Sequence, residues 1–267
     1  MNTATTNFTT TLRQWRKQRK VSQLELALAA EVSQRHISWL ETGRSQPSRE
    51  MVVKLSEALD IPLRDRNHLL NTAGFANLYS QKSLDEPAMA PITDMLKTML
   101  EHHEPYPAYV VDRYWNIKMK NQAANLMFEV AGSAEDIWKQ VDDNGEHNIA
   151  RLMLHPNGLR HYIQNWSEII SPFVKRLKEE VNESDDLQII SRFNELASYI
   201  NESDLCSINA NEELRPVLPI IYGKGQAQLS LYSIISTFGT AQDITANELR
   251  MESFYPSDKQ TAKFFTE

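Results

Sequence analysis

The sequence predicts an all-α domain followed by an α+β domain, in which an antiparallel sheet carries helices on one face. Three observations predict this arrangement. The length of 267 residues suits about two domains. The N-terminal part holds five helical patterns with recognisable caps, whereas strand-like segments flank a helical middle in the remainder. We place the all-α domain at residues 9–76, a linker at residues 77–92 and the α+β domain at residues 93–267.

The helices of the first domain are predicted by apolar residues at helical spacing and by their caps. Ser22 and Ser33 stand at N-cap positions of the second and third helices, and Glu25 completes a capping box with Ser22. Gly43 stands where a left-handed residue ends the third helix. The five segments cover residues 11–20, 23–29, 34–42, 48–59 and 63–73.

The second and third helices are short and are separated by a brief turn at residues 30–32, which is the geometry of a helix-turn-helix. In that motif the N-terminal end of the second helix meets base edges in the major groove of double-stranded DNA. Gln and Arg side chains suit bidentate bonds to adenine and guanine. A small helical bundle that binds protein is the alternative. The predicted DNA contacts are Gln23, Ser33, Gln34, Arg35, His36, Ser38, Trp39, Arg44 and Ser45.

The charge distribution agrees with a polyanion contact at one end. Residues 1–80 hold 11 Lys and Arg against 7 Asp and Glu, whereas residues 81–267 hold 17 against 28. The whole chain is therefore acidic, with a net charge of −7, although its N-terminal part is basic. We expect nucleic acid to meet only the N-terminal part.

The N-terminal stretch resembles the XRE family of helix-turn-helix regulators over about 65 residues. The resemblance implies DNA contacts at Gln23, Gln34, Arg35, Ser38 and Arg44, and an internal salt bridge from Glu41 to Arg13 or Arg16. One departure is Glu31, which occupies a turn position that glycine usually fills. The matching residues are Leu12, Arg13, Val21, Ser22, Gln23, Leu26, Ala27, Val32, Ser33, Ile37, Ser38, Glu41, Gly43, Pro47, Ser48 and Leu55.

Behind the linker, strand and helix patterns alternate less regularly. Strands are predicted at residues 108–111, 115–120, 218–222, 229–238 and 249–255. Helices are predicted from Asn121, at residues 148–154, 158–181 and 186–200, and from Ser257 to the C-terminal end. The acidic stretch of residues 133–147 is predicted as a loop.

A sheet covered by helices can enclose an apolar pocket between the two layers. Aromatic and Met side chains make adaptable pocket walls, but they are equally ordinary core residues. A ligand pocket and a packed core therefore remain open alternatives. The candidate wall residues are Trp115, Ile117, Leu126, Met127, Leu152, Trp166, Ile170, Phe173, Leu231 and Ile234.

The two-domain arrangement is similar to the MmyB-like family of regulators, which join an XRE-type domain to a C-terminal PAS-like ligand-binding domain. The resemblance implies a small apolar ligand, such as a fatty acid. Residues 183–225 depart most from the family pattern. The resembling segments are Asn71–Phe75, Pro107–Val111, Trp115–Asn116, Asn121–Ala124, Asn148–Pro156, Asn165–Trp166 and Phe254–Pro256.

Several classes of protein are disfavoured. His102 and His103 are adjacent on a helix and point about 100° apart, so they do not converge on a metal. Cys206 is a single cysteine, and no catalytic constellation, phosphate loop or resident cofactor motif is present. No apolar run is long enough to span a membrane, and no signal peptide precedes the domain. We expect a cytoplasmic protein that is not an enzyme.

The sequence favours a ligand-responsive transcriptional regulator, expected to act as a homodimer on half-sites about 34 Å apart. One alternative is a DNA-binding protein whose C-terminal domain only dimerises. Another is an enzyme that carries a DNA-binding module. The last is an antitoxin-like protein that binds a protein partner.

Overall fold

A computed structural model describes residues 3–142, 145–182, 186–201, 216–224 and 227–267. Cys206 lies outside these residues. The chain divides into two compact units. The first contains Met1–Lys82 together with Thr240–Asn247, and the second contains Ser83–Gly239 together with Glu248–Glu267.

The first unit contains the five helices that the sequence predicts. The side chains of Ser22, Ser33 and Ser48 accept hydrogen bonds from the first turns of their helices, and Ser22 forms the predicted capping box with Glu25. Fully buried apolar side chains, including those of Leu12, Leu26 and Leu55, form its core. The helices are α1 (Thr3–Gln18), α2 (Gln23–Ala29), α3 (Gln34–Glu41), α4 (Arg49–Ala58) and α5 (Leu63–Thr72).

The turn between α2 and α3 uses a left-handed residue that is not glycine. Glu31 has a φ of 50°, a conformation that costs a residue with a Cβ atom about 1 kcal/mol. Its carboxylate lies 2.7 Å from the ammonium of Lys54 on α4. Both side chains are exposed, so this ion pair offsets little of the strain. Residues Gln34–Glu41 nevertheless form the predicted recognition helix.

The second unit is built on a five-stranded antiparallel sheet of order β2-β1-β5-β4-β3. Its α+β architecture agrees with the prediction. Two of the strands, β4 and β5, pair along most of their length, from Leu231 opposite Pro256 to Thr237 opposite Arg250. The strands are β1 (Ala108–Val111), β2 (Ile117–Lys120), β3 (Ile220–Lys224), β4 (Ala227–Thr237) and β5 (Arg250–Pro256).

Helices pack on the sheet of the second unit. The largest core cluster joins the inward side chains of β1, β4 and β5 to α7, α9 and α10, which form the main helical layer, whereas α6 departs from the predicted placement of all helices on one face. A smaller cluster packs α6 against Ala108, Val110 and Met251, whose side chains alternate to the opposite face. The helices of this unit are α6 (Ala90–His102), α7 (Gln122–Glu129), α8 (Ala134–Val141), α9 (Ile149–Leu154), α10 (Trp166–Asn182), α11 (Leu187–Ala197) and α13 (Lys259–Thr266). The remaining helix, α12 (Ile244–Glu248), lies almost entirely in the segment that belongs to the first unit.

Three local predictions in the second unit are wrong. The acidic stretch after Ser133 is not a loop: α8 forms there, with Ile137, Trp138 and Val141 buried. Their i, i+1, i+4 spacing is helical, and the acidic residues merely form the exposed side. Trp115 does not belong to β2, because its φ of 67° places it in the preceding turn. The predicted helix over residues 158–181 is interrupted between a 3₁₀ turn at Leu159–Tyr162 and the start of α10.

The connection between β4 and β5 includes Thr240–Asn247, the segment that belongs to the first unit. Within that unit, the hydroxyl of Ser80 donates to a carboxylate oxygen of Asp243 at 2.7 Å. The backbone N–H of Ile244 donates to the carbonyl of Ser80 at 2.8 Å. The sequence had assigned this segment to the C-terminal domain, because hydrogen bonds between distant residues leave no local pattern.

The helices of the described ranges include none that is both long and apolar enough to cross a membrane.

Candidate DNA-binding surface and ligand cavity

The N-terminal end of α3 is a local source of positive potential with exposed polar side chains. Ser33 is the N-cap, and its hydroxyl oxygen accepts a hydrogen bond from the backbone N–H of His36 at 3.2 Å. Gln34 and Arg35 follow in the first turn and are exposed, whereas His36 is half-buried. Free backbone N–H groups and exposed donors at a helix N-terminus favour a polyanion. The predicted base-contacting residues therefore share one accessible end of α3.

Arg35 does not extend freely into solvent. Its guanidinium carbon lies 4.4 Å from the ring centroid of Trp39, one helical turn along α3. A guanidinium over an indole is stabilised by about 0.5–1 kcal/mol at an exposed site. The stacking restricts the rotamers of Arg35, so less side-chain entropy remains to be lost in any further contact of its guanidinium.

A buried ionic cluster fixes α3 against α1 and α2. The carboxylate of Glu41, which is 2% exposed, accepts from Arg16 Nε at 2.6 Å and Arg16 Nη2 at 2.9 Å. Gln23 Nε2 donates to the same carboxylate at 2.8 Å, and Arg13 donates to the Glu41 carbonyl. The implied salt bridge thus forms with Arg16 in bidentate geometry. The bond from Gln23 uses one N–H of its amide and leaves the amide oxygen and second N–H for other contacts.

The ionic cluster also sets the charge state of Glu41. Burial raises the pKa of this carboxyl, but the hydrogen bonds from Arg16 and Gln23 and the charges of Arg16 and Arg13 lower it more, so the net shift is downward. Glu41 is therefore ionised at neutral pH, and the orientation of α3 depends on that charge.

The residues after the reading end of α3 occupy different positions. Ser38 is half-buried, and its carbonyl accepts from the Thr42 hydroxyl at 2.7 Å. Arg44 is exposed and follows Gly43, whose φ of 71° is left-handed and turns the chain out of the helix. Ser45 is half-buried beside it. Arg44 and Ser45 both follow the C-terminal end of α3.

In the second unit an apolar cavity of about 50 Å³ lies between the sheet and the helices. Two of the ten predicted wall residues, Met127 and Leu231, line it. Apolar side chains predominate in its wall, and Glu252 is the charged residue among the described lining residues. The lining residues are Tyr109, Met127, Phe128, Ile149, Met153, Leu159, Ile163, Ile220, Tyr222, Leu231, Glu252 and Phe254.

The other predicted wall residues lie elsewhere. Leu126 and Ile234 are 41% and 54% exposed. Ile234 is three residues from Leu231, a helical spacing, but strand alternation sends the two side chains to opposite faces. Leu126 lies on the outer side of α7, because the buried face of that helix is formed by Ala123, Ala124, Met127 and Phe128. Six others pack in or against the core cluster without lining the cavity: Trp115, Ile117, Leu152, Trp166, Ile170 and Phe173.

A hydrogen-bonded pair forms the polar part of the cavity wall. The phenol of Tyr109 on β1 donates to Glu252 Oε2 on β5 at 2.6 Å, and the hydroxyl of Ser233 bonds the same carboxyl. Burial raises the pKa of the Glu252 carboxyl, and the bonds from Tyr109 and Ser233 with the charge of Arg176 offset this only in part. Burial likewise raises the pKa of Tyr109. The cavity therefore favours neutral groups.

Beside the cavity, an open groove of about 530 Å³ runs between β2, α7 and α8. Phe128 lines both the cavity and the groove. The rings of Trp138 and His147, 4.8 Å apart between centroids, form another part of the groove wall. Lys120 projects into it from the end of β2.

Most residues of the cavity wall were not predicted from the sequence, although one pattern on β5 indicates part of it. Glu252 and Phe254 are two residues apart on β5, so alternation places both side chains on the same face. An acidic residue two positions from a buried Phe on the same strand therefore predicts a buried carboxyl. On β1, Tyr109 and Val111 are likewise two residues apart, so the Tyr109 side chain lies on the same face as that of the buried Val111.

The His and Glu side chains at the end of α6 do not converge but make different contacts. His103 Nε2 lies 3.0 Å from the carbonyl of Phe254, and Glu104 accepts from the N–H of Gln122 at 2.8 Å. Over the described ranges, no three His, Cys, Asp or Glu side chains are grouped to hold a metal ion.

Comparison with protein families gave two matches. Residues 92–267 match the MmyB-like transcription regulator ligand binding domain. Residues 12–65 match a helix-turn-helix family. A comparison with curated proteins gave no match. The two family matches fall on the basic helical region and on the α+β region, respectively.

Proposed function

Because the chain belongs to the MmyB-like family of transcription regulators, we propose that its α+β unit binds a small apolar ligand and that the ligand changes its affinity for DNA. The coarser statement, that the chain is a DNA-binding transcriptional regulator, rests on both family matches. A fatty-acid-like molecule is the ligand class proposed. The observation that carries the proposal is an apolar cavity between sheet and helices in the family's ligand-binding domain.

The size of the cavity limits how a ligand can enter. A volume of about 50 Å³ holds one or two water-sized groups, whereas pockets for drug-sized ligands span about 300–1,000 Å³. A long chain therefore requires side chains of the wall to move. Met127, Met153 and Phe128 are suited to this, since Met has many rotamers and Phe128 separates the cavity from an open groove.

The chain offers a route by which such a movement would reach the DNA-binding unit. Leu231 on β4 and Glu252 on β5 both line the cavity. The connection between these two strands includes Thr240–Asn247, which belongs to the first unit and bonds to Ser80 there. A ligand that spreads β4 and β5 would act directly on that connection. Ligand control requires a difference in ligand affinity between two states, typically 1–3 kcal/mol in such systems.

On the DNA side, we propose that Gln34 and Arg35 contact bases and that Arg44 and Ser45 contact the flanking backbone. Gln23 would hold a phosphate with its remaining amide groups. The regulator would act as a homodimer, with half-sites about 34 Å apart. Static light scattering of the full chain with and without operator DNA tests this, and a monomer bound to a single half-site would contradict it.

Binding assays on DNA with and without ligand test the central proposal. The full chain would first be extracted with organic solvent and refolded, and its operator obtained by selection from random DNA. Addition of a long-chain carboxylate is expected to change operator affinity by about 5- to 150-fold. Equal affinities and identical footprints under both conditions would contradict ligand control.

A second function, in which the C-terminal unit only dimerises, is favoured by the small cavity volume, since a packed core looks the same. Native mass spectrometry separates the two. A co-purifying small molecule supports sensing, whereas a mass equal to that of the polypeptide, together with no change on adding apolar ligands, supports dimerisation alone.

A further inference from the structure

The groove and the cavity meet at one aromatic ring. Phe128 on α7 is 3% exposed and lines both spaces, so its side chain forms a partition between the apolar cavity and the groove. A side chain in this position controls which molecules pass, because rotation of the ring would join the two volumes.

The two spaces differ in the charge that they tolerate. Among the described residues lining the cavity there is no Lys, Arg or His. The carboxyl of Glu252 is already bonded to Tyr109 at 2.6 Å. An anionic group in the cavity would be desolvated and would lie near a second acidic group, Glu252, on whose carboxyl the charge of Arg176 already acts. The anion of an amphiphile is therefore excluded from the interior.

Lys120 in the groove offers the missing positive charge. Its ammonium lies 5.8 Å from the centroid of the Phe128 ring, directly beside the partition. Within the described part of the chain, no carboxylate lies within 4.0 Å of it, unlike Lys118, which pairs with Asp112 at 3.0 Å. Partial burial lowers the pKa of Lys120, because the charged ammonium has lost part of its hydration. An anion beside it would stabilise the charged form.

Two carboxylates of the groove already form ion pairs. Glu135 pairs with Lys139 at 2.7 Å. Asp142 pairs with Arg151 at 3.3 Å. Glu129 also lines the groove and carries the same sign as an incoming anion.

We propose that the ligand is an anionic amphiphile whose apolar chain passes Phe128 into the cavity and whose head group stays in the groove on Lys120. This inference rests on the proposed ligand-binding function and specifies its orientation. Phe128 acts as the gate and Lys120 as the residue that selects an anionic head group.

Binding of two probes with the same chain and different head groups tests the assignment of Lys120. Dodecanoate and 1-dodecanol would be titrated into the full-length protein, with tryptophan fluorescence as the readout. Because the chain has five Trp residues, Trp138→Phe would identify the part of the signal that comes from Trp138 in the groove. Lys120→Gln is expected to weaken dodecanoate binding about tenfold or more and to leave 1-dodecanol binding unchanged. Lys118→Gln, on the same strand and face, is the matched control and is expected to change neither.

The outcomes separate this inference from the function beneath it. Dodecanoate binding that is indifferent to Lys120→Gln, or equal losses for both probes, would overturn the head-group assignment and leave apolar ligand binding intact. Failure of both probes to bind the unaltered protein would overturn both. For the gate, Phe128→Leu is expected to speed association of 1-dodecanol several-fold, and an unchanged association rate would overturn that role.

Discussion

Arg35 is the residue whose replacement best distinguishes base recognition from general DNA affinity. It is exposed in the first turn of α3, and the ring of Trp39 holds its guanidinium 4.4 Å away. This geometry presents a rigid fork of donors at the end of the helix that enters the major groove. We therefore expect Arg35→Ala to remove discrimination at one base pair of the operator.

The magnitude follows from the bonds lost. A bidentate contact between Arg and guanine contributes about 1–3 kcal/mol of discrimination, which corresponds to about 5- to 150-fold in affinity. Arg35→Lys keeps the charge but loses the fork, so most of that discrimination should disappear. Trp39→Leu removes the stacking on Arg35, about 0.5–1 kcal/mol, which alone should cost about two- to fivefold, and a larger loss would indicate that Trp39 itself contacts DNA.

Fluorescence anisotropy at fixed salt measures these effects on the selected operator and on duplexes with each base pair exchanged. Arg44→Ala is the matched control, because Arg44 is expected to contact backbone and should weaken all duplexes alike. Its loss should also reduce the salt slope by about one. If Arg35→Ala weakened every duplex by one common factor, Arg35 would be a phosphate contact and the argument from its geometry would fail.

Three further predictions concern stability and coupling. Glu41→Gln should cost about 3 kcal/mol of unfolding free energy at neutral pH. Folding lowers the pKa of Glu41 below its ordinary 4.5, so the stability that the carboxylate provides is complete above pH 4.5 and is lost as the pH falls through the pKa of the folded state. The unfolding free energy of Glu41→Gln should therefore fall less steeply with decreasing pH than that of the unaltered protein. Gly158→Ala should cost about 4 kcal/mol or more in thermal or urea unfolding, since its Cβ would lie 2.0 Å from a backbone carbonyl oxygen. Gly239→Ala, with no atom within 4 Å of the added Cβ, should change stability by less than about 0.5 kcal/mol, and equal effects would refute the steric reason. Asp243→Ala removes the hydrogen bond from Ser80 and should abolish the effect of the ligand on operator affinity. The affinity for the ligand alone and the affinity for DNA alone should each change less than about twofold. An undiminished ligand effect would exclude this route.

The first unit could be predicted from sequence because its determinants are local. A serine cap lies within four residues of the N–H that it binds, as at Ser22 and Ser33. The apolar residues of each helix repeat at a spacing that depends on that helix alone. Even the left-handed position of Glu31 is visible as a departure from a family pattern. The contacts between helices required the structure, notably the bidentate bonds of Arg16 to the Glu41 carboxylate, with Arg13 Nε 3.8 Å from the same carboxylate.

The cavity was harder to predict because its wall is assembled from distant segments. Met127 and Leu231 were chosen for their chemistry, and Ile234 was chosen on the same grounds although strand geometry sends it outward. The period of a strand identifies a face, as it does for Glu252 and Phe254. It does not say which helix covers that face or whether space is left between them.

Lys118 and Lys120 show where local reasoning ends. Both are exposed, both lie on β2 and both point to the same side, so the pattern of the sequence treats them as equivalent. The fold makes them different. It brings Asp112 to one, 3.0 Å away, and the ring of Phe128 to the other, with a groove in front and an apolar cavity behind. If the head-group assignment holds, the specificity of the regulator depends on this difference, which arises from helix α7 packing at the end of the strand.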